Sequence, residues 1–258
     1  MAAAGGVSAS VPPTLHRKVA LLQFGLIAAL LAAWEALAAS GLLFRDVVPS
    51  LGAIGKAVLG LLSNPEFYGN LAITATEIGI AVLIGGLAGL GAGIALGANR
   101  FLSRAYESLI YYLGPTPKII FFPVLIMWFG VGSGSKIAMG ALSCFFPIAI
   151  SAASGMREID RVLIRVGESF RASTRQMVSK IYIPAMRAPI LNGVRLGLGV
   201  AIIGTLLAET KLSNRGLGYL IIQAYATFDM PRMYALLLLL FVVSIGANVL
   251  IGRFAAQR

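Results

Sequence analysis

Residues 157–187 read REIDRVLIRVGESFRASTRQMVSKIYIPAMR. The segment lies between two long apolar runs. It carries seven of the chain's 21 basic residues (Arg157, Arg161, Arg165, Arg171, Arg175, Lys180 and Arg187), opposed only by Glu158, Asp160 and Glu168. In a membrane chain, a basic loop of this length is expected on the cytoplasmic side, where Lys and Arg are retained. Val162, Val166, Phe170 and Met177, with Ile164 and Val178 nearby, form an approximate helical stripe between the charges. Glu168, Ser169 and Ala172-Ser173 punctuate the stripe, and Ile181-Tyr182-Ile183-Pro184 leads into the next apolar run. On these residues alone two readings stand. The stripe rests on anionic lipid headgroups, or its apolar face docks in the groove of a partner.

The rest of the chain fits a membrane setting. Of 258 residues, 58% are hydrophobic and 12% charged, with a mean hydropathy of +0.87. Soluble domains carry about 25% charged residues. An all-α integral membrane protein is therefore expected. The net charge of +11 is assigned to short cytoplasmic loops and not to nucleic-acid binding, since no basic groove with interleaved aromatics can be drawn. Cys144 is the only cysteine, so no intrachain disulfide forms; it reads as a small core residue. The single histidine, His16, has no ligand partners nearby, so no metal site is expected.

About 20 apolar residues span a bilayer as helix. Six stretches qualify: 19–39, 73–96, 109–129 (interrupted by Pro115, Pro117 and Pro123), 136–154, 188–208 and 233–251. Residues 1–18 read as a cytoplasmic tail, and 19–258 as one transmembrane domain. The stretch 47–62 is too short to span and reads as an interfacial helix opened by Pro49-Ser50. With both termini inside, 13 basic residues face the cytoplasm and 6 face outward, which favours that orientation.

In the second span Gly85, Gly89, Gly93 and Gly97 recur every fourth residue and share one face, where another backbone can approach closely. The partner is either a second subunit or gate, or a helix of the same chain. Ionisable groups within spans are costly and so are candidates for function. Glu35, Glu77 and Glu209 lie near span ends, where interfacial solvation is the alternative, and Arg195 lies within the fifth span. No P-loop, HExxH, GxSxG or Cys/His cluster is present. The chain thus has no visible means of binding ATP, and no enzymatic role is expected. If transport is driven, the energy comes from another subunit or from an ion gradient.

The segment 157–187 resembles the EAA loop of the permease subunits of ABC importers. Ile181-Tyr182-Ile183-Pro184 matches the family's Ile-x-Leu-Pro ending, and Ser169-Phe170-Arg171-Ala172-Ser173 matches the Ser-Phe-Gly-Ala-Ser form of the nitrate, sulfonate and taurine branch. The triplet falls on Arg165-Val166-Gly167. The similarity extends to Pro49-Ser50, to Thr74 and Thr76, to Pro123–Gly132, to Asn192-Gly193-Val194-Arg195-Leu196-Gly197, to Ala208-Glu209 and to Gly216-Leu217-Gly218. Three positions depart from the pattern: Arg165 replaces the triplet's acidic residue, Arg171 the loop glycine, and Glu77 a common arginine.

The resemblance implies a six-helix permease of a bacterial inner membrane that forms the pathway for a small anion such as nitrate, a sulfonate or taurine. It implies a homodimer or a pair of similar permeases, cytoplasmic ATPase subunits that bind ATP and Mg, and an extracytoplasmic solute-binding protein. It also implies a coupling site made of Arg165, Val166, Gly167, Glu168, Ser169, Phe170, Arg171, Ala172, Ser173, Ile181, Ile183 and Pro184. Phe170 would be its apolar knob, flanked by Arg171 and Arg175. The alternative class is an ion-gradient-driven secondary transporter or channel, whose marks would be intramembrane acids or paired broken helices.

Overall fold

A computed structural model describes residues 13–41 and 47–256. The expected tail, residues 1–18, and the basic residues Arg45 and Arg258 lie wholly or largely outside this range. Among the described residues helices are the only regular secondary structure. Helix α1 (Pro13–Ser40) is followed by α2 (Leu51–Leu62), α3 (Pro65–Ala98) and α4 (Arg100–Leu113). A 3₁₀ turn (Lys118–Phe121) then leads into α5 (Phe122–Phe129), and α6 covers Ser133–Arg157. The 157–187 segment holds α7 (Arg161–Ser169), α8 (Thr174–Gln176), a π turn (Met177–Tyr182) and α9 (Ile183–Ala185). Helices α10 (Arg187–Lys211), α11 (Leu217–Ala226) and α12 (Met230–Ala256) complete it.

Five of these helices are long and apolar enough to cross a membrane, and a sixth crossing results if α4 and the 118–129 segment are counted together. The third span is broken where its prolines interrupt it. Its two halves meet at 94°, because Pro115 and Pro117 flank the break and a proline restricts the residue before it as well as its own backbone. Lys118 fills the elbow. Its Nζ donates to the carbonyls of Gly114 and Thr116, and the ammonium lies 5.0 Å from the Phe146 ring centre. The side chain is thus committed to the break itself. Helix α2 starts at Leu51, because the Ser50 hydroxyl accepts the Ala53 N–H at 3.2 Å and caps it there. Helix α11, ten residues long, has no counterpart among the expected elements.

Helix α6 is the centre of the bundle, packed along α3 on one side and α10 on the other. Small residues permit this. A Cβ at Gly89 would stand 2.6 Å from the Phe145 carbonyl oxygen, and one at Gly93 2.5 Å from that of Ala149. Gly85 meets Ala141 and Cys144 in the same way. The glycine face of the second span therefore rests on α6 of its own chain. Cys144 is fully buried in this seam, with Ile148 and Ala201. On the α10 side, Gly204 rests on Ser143 and Gly197 on Ile148.

Helix α1, by contrast, has no buried residue between Leu21 and Ser40. It is held near its C-terminal end. Trp34 stacks edge-on to Tyr234 at 5.3 Å and its Nε1 donates to the Pro49 carbonyl at 3.0 Å, while Glu35 accepts the Leu51 N–H at 2.9 Å.

Candidate functional site

The 157–187 segment closes one end of the bundle. Asp160 accepts the Val162 N–H at 2.8 Å and starts α7. The helix stops in a turn with two defining bonds: Ala172 N–H to the Gly167 carbonyl (3.0 Å) and Arg171 N–H to the Glu168 carbonyl (2.8 Å). This is a Schellman arrangement, and its left-handed residue is Arg171, at φ +49°. The loop glycine's conformation is thus kept although an arginine supplies it. Ser173 and Gln176 then form a reciprocal capping box that opens α8.

The expected coupling residues divide into two groups. Gly167 is buried, and a Cβ there would run into Ile181 and stand 2.5 Å from Met177 Sδ. Ala172, Ile181 and Pro184 are half-buried. These residues hold the returning chain against α7. Arg165, Val166, Glu168, Ser169, Phe170, Arg171, Ser173 and Ile183 are exposed. The predicted stripe also divides. Met177 turns inward beneath Gly167 and Ile164 is half-buried, so neither belongs to the outer face. That face consists of Val162 (57% exposed), Leu163 (47%), Val166 (47%) and Phe170 (83%). The segment is joined firmly to the spans. Ile159 and Met186 are buried with Ala152 and Met156, and Ile164, Tyr182 and Ile190 pack on them. Gly155 of α6 lies directly against Pro189 of α10.

At the opposite end a second polar assembly is buried. Glu209, at the end of α10, is 1% exposed. It accepts the Thr74 hydroxyl at Oε1 (2.7 Å) and the Gly218 N–H at Oε2 (2.6 Å). Thr74 Oγ1 accepts the Leu217 N–H at 2.8 Å, and Asn70 Oδ1 accepts that of Gly216 at 2.7 Å. The free N–H groups at the start of α11 are therefore met by a carboxylate and two polar side chains of α3 and α10, the arrangement a helix N-terminus favours. Gly216, at φ +101°, and Gly218 fit because they lack side chains; Glu209 atoms would stand 2.5 and 2.6 Å from a Cβ at either.

Interfacial solvation is thereby corrected for two acids. Glu77 is 4% exposed and neighbours Glu209, and one of its oxygens has no partner among the described residues. Lys136, the first residue of the expected fourth span, is 1% exposed; its Nζ donates to the Val131 carbonyl, and it lies within electrostatic range of both acids. Helix α6 begins only three residues before Lys136, and the turn folds the side chain inward. Arg195 bonds across to Asn248 of α12 at 3.1 Å. The pairing of Ala208-Glu209 with Gly216-Leu217-Gly218 was visible as a motif, but its anchor on Asn70 and Thr74 spans over 130 residues and carried no local signal. Among the described residues no group of His, Cys, Asp and Glu side chains could hold a metal ion. Neither assembly pairs a nucleophile with a base. One presents an apolar surface, and the other ties helices together.

The family model of the binding-protein-dependent transport system inner membrane component matches residues 81–257. The putative aliphatic sulfonates transport permease protein SsuC of Bacillus subtilis (strain 168) is 29% identical over 93% of this chain and 90% of its own. The taurine transport system permease protein TauC of Escherichia coli (strain K12) is 31% identical over 81% of this chain and 78% of its own. Among solved structures, an inward-facing MetNI methionine ABC transporter chain superposes with a TM-score of 0.56, covering 80% of this chain and 95% of that one at 19% identity, which supports the fold. This chain belongs to the inner-membrane permease components of binding-protein-dependent ABC transport systems.

Proposed function

We propose that this permease works as a homodimer in a bacterial inner membrane, with both termini in the cytoplasm, and imports a small sulfonate-type anion. Cytoplasmic ATPase subunits hold the ATP and Mg, and an extracytoplasmic binding protein delivers the solute. The substrate class rests on the relatives named for aliphatic sulfonates and taurine. The orientation rests on the excess of basic residues in the segments assigned inside.

The observation that carries the coupling role is the outer face of α7. Val162, Leu163, Val166 and Phe170 are apolar, contiguous and unpartnered within the chain, on a helix bound rigidly to α6 and α10. An amphipathic helix of this kind is read by a groove on a partner. Force applied to the face passes through Met186 and the Gly155–Pro189 contact into two spans, and rigid-body motion of those spans opens and closes the pathway. Burying Phe170 contributes about 1.5–3 kcal/mol. Phe170→Ala should therefore weaken capture of the ATPase subunit roughly ten-fold or more, while the permease inserts normally. Undiminished capture would refute the docking role. Binding-protein-stimulated ATP hydrolysis in vesicles, tested with taurine and with alkanesulfonates, checks the substrate class.

A further inference from the structure

The outer face of α7 has a counterpart on its inner side. There a cavity of about 790 Å³ opens where the end of α3, the start of α4, the end of α6 and α7 converge. Arg100, Arg104, Arg157, Arg161 and Arg165 line it, with Glu168 as the acid among the lining residues. Arg157 is already engaged, paired at 2.7 Å to Glu107, which also accepts the Ser103 hydroxyl at 2.6 Å. The other four arginines form no ion pair among the described residues. Several guanidinium groups gathered around one cavity repel one another unless an anion sits among them. Their planar forks suit the paired oxygens of a phosphate group.

The surroundings favour a phosphate that belongs to a lipid. Helix α4 directly follows a membrane span and is two-sided. Arg100, Ser103 and Arg104 face the cavity, whereas Phe101, Leu109 and Tyr112 are exposed on the remaining surface. An amphipathic helix with basic and aromatic residues of this kind lies in the membrane interface. A headgroup held by the arginines would leave its acyl chains beside that apolar surface. The cavity exceeds the size of a lone phosphate, and basic pockets between helices at the cytoplasmic side suit anionic headgroups.

We propose that this cavity binds the phosphate of an anionic phospholipid and fixes the angle of α7 against α4. Binding itself is independent of the docking role of α7; only its consequence for coupling rests on that role. The test uses the full-length permease, purified and delipidated. Retention of phosphatidylglycerol and phosphatidylcholine is compared by native mass spectrometry, and protection against thermal unfolding is measured with each lipid and with inorganic phosphate. Selective retention of phosphatidylglycerol and protection by it are expected, with at least a ten-fold loss of apparent affinity in an Arg104→Gln/Arg161→Gln variant and none in Arg253→Gln. Equal retention of the two lipids overturns the proposal. Equal protection by inorganic phosphate overturns the lipid source and leaves a soluble anion site. The mass-spectrometric comparison needs no variant, so it stands even if the double substitution misfolds. No ATPase subunit is present, so failure here leaves the Phe170 experiment unaffected, and failure there leaves this one unaffected.

Discussion

Replacing Gly89 with alanine adds a single methyl group where α3 meets α6. That methyl carbon would lie 2.6 Å from the Phe145 carbonyl oxygen, 3.2 Å from Ile148 Cβ and 3.3 Å from the Ala149 nitrogen. Two of the three are backbone atoms of the central helix, which cannot rotate away, so the helices must separate. Overpacking of this kind costs about 1–3 kcal/mol. Alanine's better helix propensity returns up to about 1 kcal/mol, and the net change is destabilising. Gly79 of the same helix is the control, because a Cβ there meets nothing within 4 Å; Gly79→Ala should be neutral or slightly stabilising. The chain carries its own reporter. Cys144, the only cysteine, is fully buried in the same seam, so a thiol-reactive dye stays dark until α3 and α6 part. In a melt followed by that dye, Gly89→Ala should unfold several degrees below wild type, at about 2–4 °C per kcal/mol for a chain of this size. Identical melting of the Gly89 and Gly79 variants would refute the packing argument.

Other substitutions have equally direct outcomes. Glu209→Ala leaves the Gly218 N–H and the Thr74 hydroxyl without their acceptor, at about 1–3 kcal/mol each, and should lower the melting temperature and loosen α11 to proteolysis; wild-type resistance would show that water replaces the carboxylate at no cost. Arg171→Gly relieves a left-handed residue, which costs an L-amino acid about 1–2 kcal/mol. Part of that gain is offset by glycine's extra freedom in the unfolded chain. The expected result is slower hydrogen exchange at Ala172, and faster exchange would contradict the Schellman geometry. Arg195→Ala removes the bond to Asn248 and should free the α10–α12 contact; unchanged cross-linking between cysteines placed on those helices would count against it.

The spans and the loop were legible because their signals are local. Twenty apolar residues announce a helix in lipid, and the basic run of 157–187 announces its interruption. The turn at Arg171 was indicated only by the resemblance, in which that position is a loop glycine. The break in the third span was legible from Pro115 and Pro117, but its angle was not, because hydropathy averages over a window and does not register the direction the chain takes after them. Periodicity grouped Met177 with Phe170, but the turn at Arg171 lies between them and reverses the chain, which places one inside and the other outside. The knot around Glu209 needed Asn70 and Thr74, and nothing near either residue indicates what it will meet. The basic cavity was missed for a similar reason. Arg100 and Arg104 lie far from the 157–187 segment in the sequence, and only the fold brings them face to face with Arg157, Arg161 and Arg165.

The π turn at Met177–Tyr182 sits between two fixed points, the Ser173–Gln176 box before it and the Met186 N–H bond to the Tyr182 carbonyl after it. A π turn takes up more chain per revolution than an α turn. Removing one residue here would convert it to α geometry, leaving α7 and α10 each in its own register. In the history of the family this stretch is therefore a point where length can drift. Insertions and deletions of a single residue should collect between positions 177 and 182 when related loops are aligned. They should be absent from 160–172, where one added residue would rotate Phe170 away from the surface it presents.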